Sequence, residues 1–290
     1  MHFFWRWLAF FWTGWVALSS GGSPCPIIAV IIKQIRVHLK MENNKDLRLA
    51  VLIDADNIPY SNVKGMMEEI AKYGTPTFKR IYGDWTKPTL SGWKTVLLEN
   101  AVTPIQQYSY TSGKNSSDSA MIIDAMDILY SGRADGFCIV SSDSDFTRLA
   151  TRLREAGMMV IGIGQKKTPH PFIVACDKFI YLEIIASFSA ETVTVSKETA
   201  APAPAPPAPK ADKEVIQLIA ATIADLADEN GWAFLGEVGA LLLKKKPDFD
   251  PRNYGFVKLT PLIKSLARFD IDERETDKKG IKLIYIRLKQ

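Results

Sequence analysis

LAVLIDADN, running from Leu49 to Asn57, sets the reading of the whole chain. Its first part, Leu49 to Asp54, is an unbroken apolar run closed by an acid. That is the pattern of a parallel strand buried on both faces, with a carboxyl end that opens onto a site. Asn57-Ile58-Pro59 breaks the strand, and Ser61 can cap a helix running to Tyr73. Outward from there, strands are expected at Thr77–Tyr82 and Val102–Gln107, with a helical segment at Leu90–Asn100 between them. A polar loop, Tyr108–Ser117, leads into Asp118–Tyr130, where Met121, Ile122, Ala125 and Leu129 share one helical face. Gly136–Ser141 reads as a strand, Phe146–Ala156 as a helix, Met158–Ile163 as a strand and Phe179–Ile185 as a short edge strand. Strands alternating with helices predict an α/β fold: a mostly parallel sheet flanked by helices.

The chain has 290 residues, 47% of them hydrophobic and 10% aromatic, enough for two modest globular domains. A formal net charge of +4 is compatible with a polyanionic partner but too weak to identify one. The three cysteines, Cys25, Cys138 and Cys176, show neither CxxC nor Cys/His spacing, so neither a zinc site nor a disulfide framework is indicated, and a reducing cytoplasm fits best. Residues 1–40 are a hydrophobic extension that admits three readings. Met41 is the true start, the segment anchors a cytoplasmic catalytic domain to a membrane, or it directs secretion; the apolar run is short for a span and its n-region thin for a signal.

Residues 47–186 are expected to form the first domain. Residues 191–212, with their APAPAPPAP run, cannot build a core and read as an extended spacer. Beyond it, residues 213–290 form a second domain, with helices expected at Val215–Glu229, Leu235–Lys244 and Asn253–Ala267. A strand pair, Ile271–Glu275 and Ile281–Leu288, turns at Asp277–Gly280, giving a small winged-helix-like α+β pattern. Lys244–Lys246, Arg252, Lys258, Lys264 and Arg268 outnumber the acids of the same helices, so one face could follow a phosphate backbone; the plainer reading is an ordinary solvated face. Trp232, Phe234, Phe249, Tyr254 and Phe256 could stack on bases, although these spacings also suit the core of a small domain.

In an open parallel sheet, ligands bind beyond the carboxyl ends of the strands. The first strand is followed there by Asp54, Asp56 and Asn57, the fourth by Ser141-Ser142-Asp143-Ser144-Asp145, and Asp118 opens the helix leading into the fourth. Carboxylates gathered at one edge repel one another unless a cation sits among them. An all-oxygen set without His or Cys suits Mg²⁺ or Mn²⁺, which can activate water and neutralise charge on a phosphate. Each acid also has a structural reading, since Asp118 and Asp143 stand at helix starts where Asp serves as a cap. Asp124 lies about 120° around the helix from Asp118 and is a reserve candidate, while Asp127 falls on a solvated face. Gly162-x-Gly164 lacks the third glycine of a dinucleotide loop.

IDADN at Ile53–Asn57, the polar loop with Lys114 leading to Asp118, then Asp124, and IVSSDSDF at Ile139–Phe146 resemble the signature set of NYN domains of the LabA-like group, relatives of PIN nucleases. The resemblance implies a PIN-like fold with Asp54, Asp118, Asp143 and Asp145 as catalytic metal ligands and Asp124 as a further ligand. Asn57, Lys114 and Ser142 are the matching substrate contacts. GWAFL at Gly231–Leu235 and PDFDPRNYG at Pro247–Gly255 resemble an OST-HTH/LOTUS domain, which implies binding of RNA or of a protein partner and adds Lys245 and Arg252 to the expected RNA contacts. Together the two resemblances imply a Mg²⁺- or Mn²⁺-dependent endoribonuclease with an appended RNA-binding module. The alternative is a non-catalytic RNA-binding or adaptor protein that retains the NYN fold.

Overall fold

The computed structural model describes residues 46–108, 116–186, 213–275 and 282–289. The expectations for residues 1–40, the start at Met41, Lys114, the spacer 191–212 and the turn Asp277–Gly280 fall outside them. Among the described residues, no helix is long and apolar enough to cross a membrane.

The apolar run becomes β1 (Arg48–Asp54), and six parallel strands assemble in the order β3-β2-β1-β4-β5-β6. The others are β2 (Thr75–Gly83), β3 (Thr103–Gln106), β4 (Gly136–Val140), β5 (Met159–Gly164) and β6 (Lys178–Tyr181). Alternation along β1 sends Leu49, Val51 and Ile53 into one core and Ala50 and Leu52 into the other. Both faces are therefore covered. On the first lie α1 (Val63–Ile70), through Val63, Met66 and Ile70, and α2 (Trp93–Asn100), through Trp93 and Leu97. The second holds α3 (Ser116–Ser131), α4 (Thr147–Glu155) and α5 (His170–Ala175). Successive strands add to the left of β1 as far as β3 and then restart on its right with β4, so the switch in direction falls between β1 and β4. Connections diverge there and leave a crevice at the strand carboxyl ends.

A smaller antiparallel sheet, β7-β9-β8, packs with three helices around a separate core. Its elements are α6 (Lys213–Leu226), β7 (Ala233–Phe234), α7 (Leu235–Lys245), α8 (Leu259–Ser265), β8 (Phe269–Glu275) and β9 (Lys282–Leu288). The fold is thus the expected α/β sheet plus a small C-terminal α+β domain.

Several elements differ from their sequence reading. The edge strand ends at Tyr181 rather than Ile185 because its partner β5 ends opposite it, at Gly164, and residues 182–186 turn helical instead. The helix expected over Asn253–Ala267 divides into a 3-10 turn at Pro251–Tyr254 and α8, because Gly255 sits at φ +83° and stops the first turn. Helix α5 has only six residues, too few for a periodic signal, yet it buries Phe172 and Ile173.

The glycines of Gly162-x-Gly164 have a packing reason. A Cβ on Gly164 would lie 2.6 Å from the Ser141 carbonyl oxygen and 2.7 Å from Thr168 Oγ1; one on Gly162 would lie 2.5 Å from the Phe179 ring. Gly164→Ala is expected to destabilise the protein by about 1–3 kcal/mol, the usual cost of overpacking a filled site, read as a lower urea midpoint.

Candidate functional site

Asp54 closes β1 and is only 2% exposed. A carboxylate there must be satisfied by the protein. Its Oδ2 accepts from Asn57 Nδ2 at 2.5 Å and from Ser141 Oγ at 2.9 Å, and its Oδ1 accepts from the Asp56 backbone N–H at 3.1 Å. Burial pushes the Asp54 carboxyl up, while these hydrogen bonds pull against the rise without cancelling it. Ser141, fully buried just beyond β4, is the bridge across the switch point. Its Oγ also accepts from the Asp143 backbone N–H at 3.1 Å, which orients the turn that follows.

That turn carries two more acids. Asp143 caps the 3-10 turn Ser144–Phe146, its Oδ1 accepting from the Asp145 backbone N–H at 3.0 Å. Asp118 sits in the first turn of α3. Carboxylate oxygens of Asp118, Asp143 and Asp145 all lie within 4.8 Å of one another. The helix-start reading and the cluster reading therefore hold together for Asp143. For Asp118 they part: a residue serving the helix dipole alone would have a lowered carboxyl. Burial instead pushes the Asp118 carboxyl up to about 6, helped by the charges of Asp54, Asp143, Asp145 and Asp56.

The remaining expected residues are distributed as follows. Asn57 steadies Asp54, as given above. Ser142 is buried and its Oγ accepts from the Gln165 backbone N–H at 2.9 Å, tying the acidic turn to the end of β5. Asp124 stands apart from the cluster: Arg80 Nη1 donates to its Oδ1 and Tyr82 Oη to its Oδ2, so it pins α3 onto β2. Lys245 pairs with Asp225. Arg252, expected on RNA, is turned inward to Glu69 and Asp250 with 12% of its side chain exposed. Among the aromatic candidates, Phe249 is core, with Tyr254 and Phe256 packed against that core. Trp232, just before β7, is half-buried, with the Arg287 guanidinium 4.7 Å from its ring centroid.

Sequence reasoning passed over Ser141 and Asp84. Asp84 follows β2 at the same edge, buried, its Oδ1 accepting from Thr86 Oγ1 at 2.6 Å and Gln106 Nε2 at 3.0 Å. The rule that found Asp54, an acid closing an unbroken apolar run, did not reach Asp84 because β2 carries Lys79 and Arg80 within it.

Asp118, Asp143 and Asp145 offer oxygen ligands alone and close enough to share one ion, so their chemistry fits Mg²⁺ or Mn²⁺. A parallel sheet with this order, carrying acids at its switch point, has the architecture of the PIN-like nuclease fold. A family model described as NYN domain matches residues 48–183, and one described as OST-HTH/LOTUS domain matches residues 207–281. The chain carries an NYN domain followed by an OST-HTH/LOTUS domain, a combination that points to an RNA-related function.

Similar solved structures include a protein of unknown function from Vibrio parahaemolyticus, 19% identical, covering 48% of this chain and 94% of that one at a TM-score of 0.40. A protein of Nitrosomonas europaea is 34% identical over 33% of this chain and 92% of its own, with a TM-score of 0.26. Another, from Chromobacterium violaceum, is 30% identical over 29% of this chain and 87% of its own, with a TM-score of 0.22. Comparison with curated proteins gives no match.

The raised Asp118 carboxyl fixes the sign of a pH effect. Its folded value of about 6 lies above the ordinary 3.8, so the folded state holds the proton more tightly and the ionised acid opposes folding above pH 6. In chelator, this group's contribution should make stability rise as pH falls from about 6 towards the ordinary carboxylate value of 3.8, with little change above 6. Asp118→Asn should flatten that rise and stabilise the metal-free protein at pH 7.5 by about 1–2 kcal/mol after solvent screening, read by thermal unfolding.

Proposed function

We propose that this protein is a Mg²⁺- or Mn²⁺-dependent endoribonuclease whose OST-HTH/LOTUS domain holds the RNA that its NYN domain cuts. One observation carries the reading: the oxygens of Asp118, Asp143 and Asp145 converge within 4.8 Å at the sheet's switch point, with buried Asp54 behind them. These four acids would hold the ion and its surroundings. When bound, the ion supplies Lewis-acid polarisation of a phosphodiester and offsets the charge that builds on it during in-line attack. The protein's own contribution is preorganisation. Asn57 and Ser141 fix the Asp54 carboxylate, and Ser141 and Ser142 fix the acidic turn. RNA as substrate rests on the domain pair. The buried thiols of Cys138 and Cys176 are free, which suits a reducing cytoplasm.

The test is incubation of the protein with end-labelled single-stranded and structured RNA in Mn²⁺. Internal cleavage is expected, abolished by chelator and reduced by roughly 10²-fold or more in Asp118→Asn and Asp143→Asn, the usual scale for removing an electrostatic catalytic group. RNA binding without turnover, insensitive to chelator, would establish the non-catalytic adaptor reading instead.

A further inference from the structure

The segment PDFDPRNYG, the most distinctive part of the OST-HTH/LOTUS domain, is occupied within the molecule. Arg252 Nη1 donates to Glu69 Oε2 at 2.9 Å and Nη2 to Glu69 Oε1 at 2.7 Å, a bidentate pair reaching across 183 residues to α1 of the NYN domain. The same guanidinium donates through Nε to Asp250 Oδ1 at 3.0 Å and through Nη2 to Asp250 Oδ2 at 2.7 Å. Side-chain exposures of 12% for Arg252, 5% for Glu69 and 9% for Asp250 make this a largely dehydrated cluster. Burial alone would push the Glu69 carboxyl up; Arg252 and Lys72 outweigh it and hold the carboxyl down at about 2. Two further bonds cross at the sheet's edge. The Phe179 backbone N–H on β6 donates to the Pro247 carbonyl at 2.9 Å, and Tyr181 Oη donates to Asp248 Oδ2 at 2.9 Å. An edge strand with open N–H groups needs a cover, and Pro247 provides it at Phe179.

We propose that Arg252 is a positioning residue: by clamping the OST-HTH/LOTUS domain to Glu69 it turns that domain into a fixed guide, so that RNA is cut at a set distance from where it is held. The proposal rests on the ribonuclease reading. A freely tethered module would only concentrate substrate and leave the cut position to the RNA; a clamped one sets the register as well.

Glu69→Gln, which keeps the side-chain shape, and Arg252→Gln test it from opposite domains. Removing one partner of a buried ion pair shifts the docked-to-undocked balance by roughly a hundredfold, so amide exchange at Phe179 should accelerate by about that factor in either variant. On a long end-labelled RNA with Mn²⁺, the wild type should give one dominant product length and each variant a spread of lengths. Combining the two substitutions should add little, as expected of residues acting through one contact. Glu69→Gln should leave the rate on a short RNA unchanged, which separates positioning from damage to the acids. Faster Phe179 exchange with an unaltered product distribution overturns the guide, and unchanged exchange overturns the clamp. A wild-type chain that cuts no RNA overturns the ribonuclease reading and the cutting register with it, while Phe179 exchange still decides the docking.

Discussion

A carboxylate at the end of a fully buried strand is tolerated only where the fold answers it with donors, and Asp54 is the point on which this structure turns. Its partners come from both sides of the switch point: Asn57 and the Asp56 backbone from its own loop, Ser141 from the end of β4. Ser141 faces two ways, donating to Asp54 and accepting from the Asp143 backbone. The strand that carries the first acid thereby orients the turn that carries the next two. Were Ser141 apolar, β1 and β4 would still pair, but the acidic turn would lose the hydrogen bond that sets its direction.

Two carboxyls in this chain, Glu69 buried and Asp118 half-buried, meet opposite fates, and the contrast explains the chemistry. Glu69 is held at about 2 because the fold brings it Arg252 and Lys72. Asp118 is pushed up to about 6 because, beyond burial, the fold brings it other acids. Folding could have compensated Asp118 as it did Glu69, but the Arg80 guanidinium of β2 pairs with Asp124, six residues further along α3. Excess negative charge concentrated at the switch point is the condition a hard divalent cation relieves.

The same reasoning orders the C-terminal domain. Its basic count invites a reading as a phosphate-tracking face, yet Arg252 and Lys245 are engaged by acids of the chain itself. A net count of cations overstates what a nucleic acid can meet, because burial selects guanidinium over ammonium for internal pairs: the planar fork of Arg252 satisfies Glu69 and Asp250 at once.

Much of the fold was legible along the chain. The run Leu49–Asp54, the alternation of strands and helices, and the acids Asp54, Asp143 and Asp145 just past apolar strands are local patterns, and parallel strands carry such positions to one edge whatever the length of the helices between them. The diversion of Asp124 to Arg80 and Tyr82, the bridging by Ser141 and the docking of Arg252 on Glu69 came only with the tertiary structure. Each depends on partners tens of residues away or more, and the direction of a side chain is set by those partners rather than by its neighbours in sequence. The sequence by itself determined which edge would be acidic; tertiary packing decided which acids share a site, which are neutralised within the fold, and which cations remain at the surface.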